Sequence, residues 1–528
     1  MARSARLRSA VSLTDPLIQA APTGGTISVP PTGGPGARLQ ALAERIDTRR
    51  NGLIALAMLV ALALFAYFFR PTYPNYDSYY TLLWGEDLLG GDLPDYDVFR
   101  PPTPHALATW VAALLAIFDG ISDRLLVAIS VASYIALVVI LFRFTQQLLG
   151  TLVALAATLF VLSRTDLQFL ALRGTVDLPF LALVFGAALL ELKTPRRGTA
   201  VLVLLGLAGL LRPEAWVFAG LYFLWLASAT KDRGELIRYA ALTAAAPLIW
   251  VAWDLIVTGE PLYSLTQTRD VASQVERNRG LVDAVTLIPD FIGGSEKVVT
   301  LVAGGLGSLV ALYLLRRRAA LPVALLVIGT GIFLMIAAAG LSVIPRYMLI
   351  PSLVVTLCIG VALSGWTLVA ERRMRWVAIA IAIVSAATIA YRLPDFKTDF
   401  RVLGNQANFV EEQHHTFQDV VNDPELARYL DKRTCNPITL PTHSSIPVLR
   451  YETGLPKQRI RASIEQSRAP KHGVQFVSRT FNFEPAAARS VITISSGARS
   501  AERYWSNHPN PLFLPVAGNY RWRALVDC

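Results

Sequence analysis

The chain has 528 residues, of which 53% are hydrophobic and only 16% are charged, and its mean hydropathy is +0.45. The interior of a soluble protein of this size cannot bury that much apolar surface, so the composition excludes a soluble globular fold and indicates a lipid bilayer. The formal net charge of +11 does not indicate nucleic-acid binding, because the arginines cluster in short loops between apolar runs, where they orient a membrane protein.

The first 50 residues are rich in Arg, Ser, Pro and Gly and contain too little apolar material to form a core. They predict a disordered cytoplasmic arm. The segment is not typical of a secretory signal, because the first apolar run begins only after Asn51 and many others follow it.

The sequence contains about eleven apolar runs that we predict to cross the bilayer as helices, and the first of them, 52–69, has about the length needed to span. Arg49 and Arg50 hold the start of the first run in the cytoplasm, so the chain first passes outward. The apolar run at 105–118 is short and continues into Asp119 and Gly120, which predicts a helix that lies at the interface or re-enters the membrane. The predicted spans, which alternate in direction, are 52–69, 124–142, 148–163, 178–192, 198–211, 214–230, 236–257, 297–315, 319–341, 348–370 and 376–392.

The basic residues between the runs test this assignment independently, because loops on the cytoplasmic side carry an excess of Lys and Arg. The assignment places all of these clusters inside: Arg143; Lys193, Arg196 and Arg197; Lys231 and Arg233; Arg316 to Arg318; Arg372, Arg373 and Arg375. Treating 105–118 as a full span would place every one of them outside. The sequence therefore predicts a cytoplasmic N-terminus, large outer loops at 70–123 and 258–296, and an external tail.

The predicted fold is mainly α: a polytopic transmembrane helical bundle over 51–392, followed by an extracytoplasmic α/β domain over 393–528. A β-branched run, Val491 to Ser495, predicts one strand of that domain. Its tryptophans, Trp505 and Trp522, suit core packing better than a sugar site.

The tail contains two of the chain's three cysteines, Cys435 and Cys528. In an exported domain they can form one disulfide, and the alternative is two free thiols. The sequence leaves this choice open.

Ionisable residues at the outer ends of membrane helices are functional candidates, because their burial costs free energy. Asp77 follows the first span by only a few residues, in an aromatic segment, and its carboxylate can act as a general base on an acceptor hydroxyl. The alternative is a helix cap, and the two roles are compatible.

Three further groups of polar residues lie on the predicted outer side of the membrane. The first group surrounds a rigid proline turn and contains Asp95, Asp97 and His105. It can hold a metal, position a sugar or shape the loop, but its residues lack the spacing that is usual for metal ligands. A second group, which can consist of ion pairs that satisfy one another, contains Arg164, Asp166, Arg173 and Asp177. Beside it, Arg212 and Glu214 flank Pro213 at a helix break, which membranes tolerate where it lines a cavity.

Arg346, followed by Tyr347, lies at the outer start of the span 348–370. A guanidinium group binds phosphate through a planar two-pronged contact, which suits a lipid-linked phosphate at headgroup depth. Snorkelling toward ordinary lipid phosphates is the alternative and is the better explanation for this residue taken alone.

Soluble nucleotide chemistry is not indicated, because the sequence contains no Walker A loop, no dinucleotide-type glycine pattern, no HExxH and no nucleophile elbow. An activated sugar already attached to a polyprenyl phosphate needs none of these motifs.

Five loose motifs occur in register with the predicted topology over residues 52–392. They are the loop acid Asp77; Gly90-Gly91-Asp92-Leu93-Pro94 with Pro101-Pro102-Thr103-Pro104-His105; Leu211-Arg212-Pro213-Glu214; Gly259-Glu260-Pro261-Leu262-Tyr263-Ser264; and Pro345-Arg346-Tyr347. In this order they resemble the GT-C superfamily of membrane glycosyltransferases, in the bacterial group related to protein mannosyltransferases and lipid A aminoarabinose transferases.

The resemblance implies inverting transfer of a sugar from a polyprenyl-phosphate donor to an acceptor outside the cytoplasm. Asp77 matches the family's proposed base, and Arg346 and Arg212 match positions that hold the donor phosphate. Many relatives carry two adjacent acids where this chain has Asp77 and Ser78, so the resemblance leaves open whether a divalent metal takes part. The further substrate-binding candidates are Glu214, Tyr347, Asp97, His105 and Arg173.

The Ala-rich, Arg-rich and Lys-poor composition is typical of a high-GC bacterium, so the expected acceptor is a cell-envelope polysaccharide, glycolipid or glycoprotein. A transporter or flippase is the competing function, because outward cavities with broken helices and buried charges also serve transport. Against it, the sequence has no internal repeat and its candidate residues gather at the outer face. A non-catalytic scaffold would tolerate replacement of Asp77 and Arg346.

Overall fold

The computed structural model describes residues 73–274, 278–463, 470–478 and 509–528, and these are mainly helical. The predicted arm 1–50, the first span 52–69 and the predicted strand Val491–Ser495 lie outside the described residues, as does Trp505.

The predicted first outer loop contains two packed helices. Helix α1 spans Tyr76–Leu89 and begins after Asn75, whose side chain accepts a hydrogen bond from the Ser78 amide. Helix α2 spans Ala106–Leu115, within the run 105–118, and its predicted position at the interface stays a prediction. Gly85 permits their contact, since a Cβ there would lie 2.5 Å from the backbone of Ala112.

Seven helices follow in the first half of the bundle. Helices α4 (Thr151–Ser163) and α5 (Thr165–Leu172) meet at Arg164 with a bend of 58°, so the predicted span 148–163 is the first arm of a broken helix. The bounds are α3 Ser122–Leu149, α4 Thr151–Ser163, α5 Thr165–Leu172, α6 Asp177–Lys193, α7 Thr199–Leu211, α8 Glu214–Ala227 and α9 Arg233–Thr258.

The second half starts with two helices in the predicted second outer loop, α10 (Tyr263–Gln274) and α11 (Leu281–Gly293), and continues through a π-helical turn at Thr300–Gly304. Helix α15 (Leu349–Ser364) belongs to the most enclosed of the candidate spans, and Gly307 and Gly360 let neighbouring backbones approach it closely. The bounds are α10 Tyr263–Gln274, α11 Leu281–Gly293, α12 Lys297–Val299, α13 Gly305–Leu315, α14 Ala320–Ala338 and α15 Leu349–Ser364.

The lengths and compositions of these helices agree with a multi-pass membrane protein. Within the described ranges, five continuous helical stretches are long and apolar enough to cross a bilayer, and the bent pair α4–α5 makes a sixth. Large apolar side chains face outward, among them Leu224, Leu248 and Leu309, each more than 60% exposed. A surface of this kind suits lipid rather than water. The count of eleven spans and their orientation stay predictions.

The last long helix, α16, runs without interruption over Arg372–Val421. A helix of this length extends about 75 Å, far more than a bilayer requires. The predicted border between residues 392 and 393 therefore falls inside one helix, which carries the chain directly from the bundle into the tail. The division into domains stays a prediction.

The tail forms a small sheet packed on the end of α16 and on two short helices, α17 (Pro424–Leu430) and α18 (Ile446–Thr453). Strand order is β2-β1-β3-β5-β4, with β1 parallel to β2 and β3, and β5 antiparallel to β3 and β4. The bounds are β1 Ile438–Leu440, β2 Ile460–Ala462, β3 Gly473–Ser478, β4 Leu514–Gly518 and β5 Trp522–Asp527.

The core of the tail answers two questions that the sequence raised, namely where Trp522 packs and whether Cys435 and Cys528 are paired. Trp522 is 2% exposed and packs against Phe417 with ring centroids 4.9 Å apart, as expected for a core tryptophan. Cys435 and Cys528 form a disulfide, which joins the segment before β1 to the end of β5. Cys358, in α15, is a free thiol.

We predict that alkylation of the denatured, unreduced protein labels one thiol and that reduction raises the count to three, because only Cys358 is free. Replacement of Cys528 by Ala should lower the stability of the tail by about 2–4 kcal/mol, since the disulfide restricts the unfolded chain. Cys358→Ala is the control that keeps the disulfide. Three labelled thiols without reductant would contradict this pairing.

Candidate active site

Asp77 lies in the first turn of α1, and Arg346 lies in the short 3₁₀ turn Pro345–Met348 that leads into α15. Their side chains meet: Arg346 Nη1 is 3.7 Å from Asp77 Oδ2. Both side chains are about one third exposed. The helix-capping role considered for Asp77 belongs instead to Asn75. The carboxylate of Asp77 therefore remains available on the open side of the pair.

Asp177, the first residue of α6, connects this pair to a second arginine. Its carboxylate is completely buried, with Oδ2 3.5 Å from Nη1 of Arg346 and Oδ1 paired with Nη1 of Arg212. The sequence placed Asp177 among residues that form ion pairs and did not select it as a site residue. An acid at the outer start of an apolar helix was the available signal.

Arg212 directly follows the last residue of α7, and its guanidinium has contacts on several sides. Its guanidinium donates to Oε1 of Glu214 from Nη2 at 2.6 Å and from Nε at 3.1 Å. The same group lies 5.0 Å from the ring centroid of Tyr347 and 5.3 Å from that of Phe180. Arginine and aromatic faces attract each other at such distances. Arg212 is therefore a fixed, already paired charge at the back of the site.

We call Asp77, Asp177, Arg212, Glu214 and Arg346 the Asp77 cluster. It contains three carboxylates and two guanidinium groups, so one negative charge is in excess when all are ionised. The inner groups form short contacts away from water, whereas Asp77 and Arg346 form the longest and most exposed contact. That outer pair is the weakest electrostatically and the easiest for a substrate to separate.

His105 lies next to the cluster, at the start of α2. Burial, followed by the positive charge of Arg212, lowers the pKa of His105 to about 3. The imidazole is therefore neutral at pH 7, with its ring edge-on to Trp250 at a centroid distance of 5.9 Å. A neutral ring can exchange hydrogen bonds with sugar hydroxyls and does not add to the positive charge.

Two predicted site residues have other contacts. Asp97 is fully exposed and lies near Lys457 of the tail, with 3.4 Å between Oδ2 and Nζ, rather than against the Asp77 cluster. Arg173 supports the start of α1 through its backbone carbonyl, which accepts from the Asn75 amide at 3.0 Å, and its guanidinium lies over the ring of Phe169. The substrate-binding role predicted for both stays a prediction.

The described residues contain no group of three or more His, Cys, Asp or Glu side chains arranged to hold a metal ion. The carboxylates of the Asp77 cluster are occupied mainly by arginines. The divalent metal that the sequence left possible therefore has no ligand set in the described part of the chain.

A separate buried ion pair supports the break between α4 and α5. Arg164 is fully buried, contacts Asp166 at 2.5 Å and donates to the hydroxyls of Ser352 and Thr356 at 2.8 and 2.9 Å. Gly294 packs against this guanidinium, and a Cβ there would overlap it. This pairing agrees with the mutual ion pairing considered from the sequence.

No protein-family model matches the sequence, and no curated protein resembles it at a significant level. Solved structures do match. ArnT from Cupriavidus metallidurans, an aminoarabinose transferase bound to undecaprenyl phosphate, aligns with a TM-score of 0.51 and 14% identity over 90% of this chain and 98% of that chain. The apo state gives the same score over 97% of its chain.

An oligosaccharyltransferase from Archaeoglobus fulgidus, tethered to an acceptor peptide, aligns with a TM-score of 0.45 and 12% identity over 78% of this chain and 64% of that chain. ArnT belongs to the GT-C superfamily of membrane glycosyltransferases, so the resemblance drawn from the sequence is confirmed in the fold.

We predict that Asp177→Asn destabilises the protein by about 3–5 kcal/mol, because it leaves the buried Arg212 and the partly exposed Arg346 without their shared, buried carboxylate. Asp77→Asn should cost about 1 kcal/mol or less, since its contact is longer and partly exposed. Equilibrium unfolding in a denaturing detergent measures both. Equal losses in the two variants would contradict this ranking.

Proposed function

We propose that this protein is a membrane glycosyltransferase that transfers a sugar from a polyprenyl-phosphate donor to a cell-envelope acceptor on the extracytoplasmic side. The observation that carries the proposal is the open Asp77–Arg346 pair, which places a carboxylate and a guanidinium side by side at the ends of α1 and α15. The ArnT-like fold supports it, because that fold holds undecaprenyl phosphate in a solved structure.

In the proposed reaction, the Asp77 carboxylate accepts the proton of an acceptor hydroxyl as the hydroxyl oxygen bonds to the anomeric carbon of the sugar. The bond between that carbon and the phosphate oxygen breaks, and its electron pair leaves with the polyprenyl phosphate. Arg346 binds this phosphate and stabilises the charge that develops on it. Attack from the face opposite the phosphate inverts the anomeric centre.

The inner half of the Asp77 cluster positions Arg346. Asp177 contacts both arginines, while Glu214 occupies two donors of Arg212. Arg212 therefore acts indirectly, through Asp177, and does not contact the substrate. Arg346 is the arginine whose partly exposed guanidinium can bind a phosphate. This division refines the expectation that both arginines contact the donor directly.

The tail supports the proposed extracytoplasmic location of the site. It contains the Cys435–Cys528 disulfide, and such bonds persist in oxidising compartments. The tail also contacts the segment around Asp77: Lys457 Nζ lies 2.7 Å from Asp95, and the rings of Tyr76 and His443 meet edge-on at 5.4 Å. A disulfide-bonded tail and the Asp77 cluster thus lie on the same side of the bundle.

Asp77→Asn should reduce sugar transfer from radiolabelled polyprenyl-phosphate sugars to a membrane extract by about 10²- to 10⁴-fold, because the amide cannot accept the hydroxyl proton. The measurement compares purified proteins at matched, folded concentrations. Asp119→Asn, an exposed acid in the same predicted outer loop but outside the quoted motifs, is the control that should retain activity.

Full transfer by Asp77→Asn would refute the assigned base. Absence of transfer with every donor, together with movement of a lipid-linked sugar across vesicles that contain the wild-type protein, would favour a flippase instead. The broken helix at Arg164 is the feature such a protein would use.

Arg346→Gln should lower kcat/KM for the donor by about 10- to 100-fold through loss of charged hydrogen bonds to phosphate. Arg346→Lys should recover only part of this loss, since an ammonium keeps the charge without the two-pronged geometry. Arg279→Gln, an exposed arginine of the predicted second outer loop, is the matched control. If only the KM for the acceptor changed, the assignment of phosphate binding to Arg346 would be wrong.

A further inference from the structure

An apolar cavity lies between α3, α13, α14 and α15, at the end of the bundle away from the Asp77 cluster. Its volume is about 100 Å³, and it is open on one side. Residues from all four helices line it, including Phe144, Leu312, Val323 and Cys358. Leu357 of its wall follows Arg346 by roughly 16 Å along α15. The cavity is therefore separate from the proposed active site.

The cavity opens toward the surface that faces lipid. Leu312 and Val323, which line it, are 49% and 37% exposed, whereas Leu357 on its inner wall is buried. Its opening thus lies between α13 and α14. A hydrocarbon chain of a neighbouring lipid can enter from this side without crossing a polar surface.

One polar group in the wall has no partner. The hydroxyl of Thr145, near the end of α3, is buried and makes no hydrogen bond within the described residues. Thr145 is 3% exposed. A buried hydroxyl without a partner costs free energy, and a ligand with an acceptor oxygen at this depth would remove that cost.

A cluster of positive charge lies at the mouth. Leu315 and Ala319 both line the cavity, and the residues between them are Arg316, Arg317 and Arg318, all exposed. Arg316 has a φ of 48°, a left-handed conformation that non-glycine residues rarely adopt. The connection between α13 and α14 therefore presents basic side chains directly above an apolar opening.

We propose that this cavity binds one anionic phospholipid. An acyl chain fills the space between α13 and α14, rotation of the Thr145 side chain lets its hydroxyl donate to an ester carbonyl, and the headgroup phosphate pairs with the arginines of the 316–318 turn. The apolar wall of the cavity suits the acyl chain, the buried hydroxyl suits the ester, and the basic rim suits the phosphate. These three parts follow one another in the same order in a phospholipid. The site is independent of the proposed sugar transfer.

The first test measures lipid retention by native mass spectrometry after reconstitution of the full chain in nanodiscs made from equal amounts of phosphatidylcholine and phosphatidylglycerol. The wild type should retain one phosphatidylglycerol more often than phosphatidylcholine. Val323→Trp fills the mouth and should abolish this retention. Val327→Trp is the matched control, since Val327 lies on the same helix, is 61% exposed and does not line the cavity.

The second test removes the charge. Arg316→Gln with Arg317→Gln should reduce phosphatidylglycerol retention about fivefold for each arginine, from the usual contribution of a basic residue near anionic lipid. Arg372→Gln with Arg373→Gln removes the same charge from another exposed position and should leave retention unchanged. Thermal unfolding midpoints identify any variant that fails to fold.

A third readout uses Cys358, the free thiol in the wall. Membrane-permeant N-ethylmaleimide should label it more slowly in nanodiscs that contain phosphatidylglycerol than in pure phosphatidylcholine. Equal retention of both lipids, retention that survives Val323→Trp, or equal loss in the two double-arginine variants would each overturn the proposal. Selective retention of a polyprenyl phosphate instead would also overturn it.

Discussion

The carboxylate of Asp177 is fully buried and contacts two guanidinium groups. Neither kind of charge is stable alone at that depth, so each holds the other in place. These contacts connect the start of α6 with the junction of α7 and α8 and with the start of α15. The rest of the proposed site depends on them, because they hold Arg346 within reach of Asp77.

The strength of these contacts decreases from the inside of the site to its opening. Arg212 and Glu214 form short hydrogen bonds in a buried setting, whereas Arg346 and Asp77 are 3.7 Å apart and partly exposed. The buried contacts provide rigidity, and the open pair provides chemistry that a substrate can reach. A site in which every charge was fully paired would have no group left to accept a proton or bind a phosphate.

The two ends of the bundle have different surroundings. At one end, α1 contacts a tail closed by a disulfide, with Lys457 joining the tail to the segment after α1. At the other end, the short turn between α13 and α14 presents arginines above the apolar cavity. Helix α15 connects the two, since it begins next to Arg346 and lines the cavity further along. Both the proposed reaction and the proposed lipid site thus depend on the position of one enclosed helix.

The sequence by itself predicted the helical membrane fold, because hydropathy and the placement of basic residues are local properties that lipid enforces directly. It also selected Asp77 and Arg346, since charges at the outer ends of apolar runs need a reason to be there. Only the tertiary structure showed that Asp177 contacts Arg346, which is 169 residues away in the sequence, and that Asp97 lies near Lys457 of the tail. Pairing between distant segments is set by helix packing, which no local pattern encodes. Helix α16 could not be predicted for the same reason, because its continuation beyond residue 392 is stabilised by contacts with the tail's core.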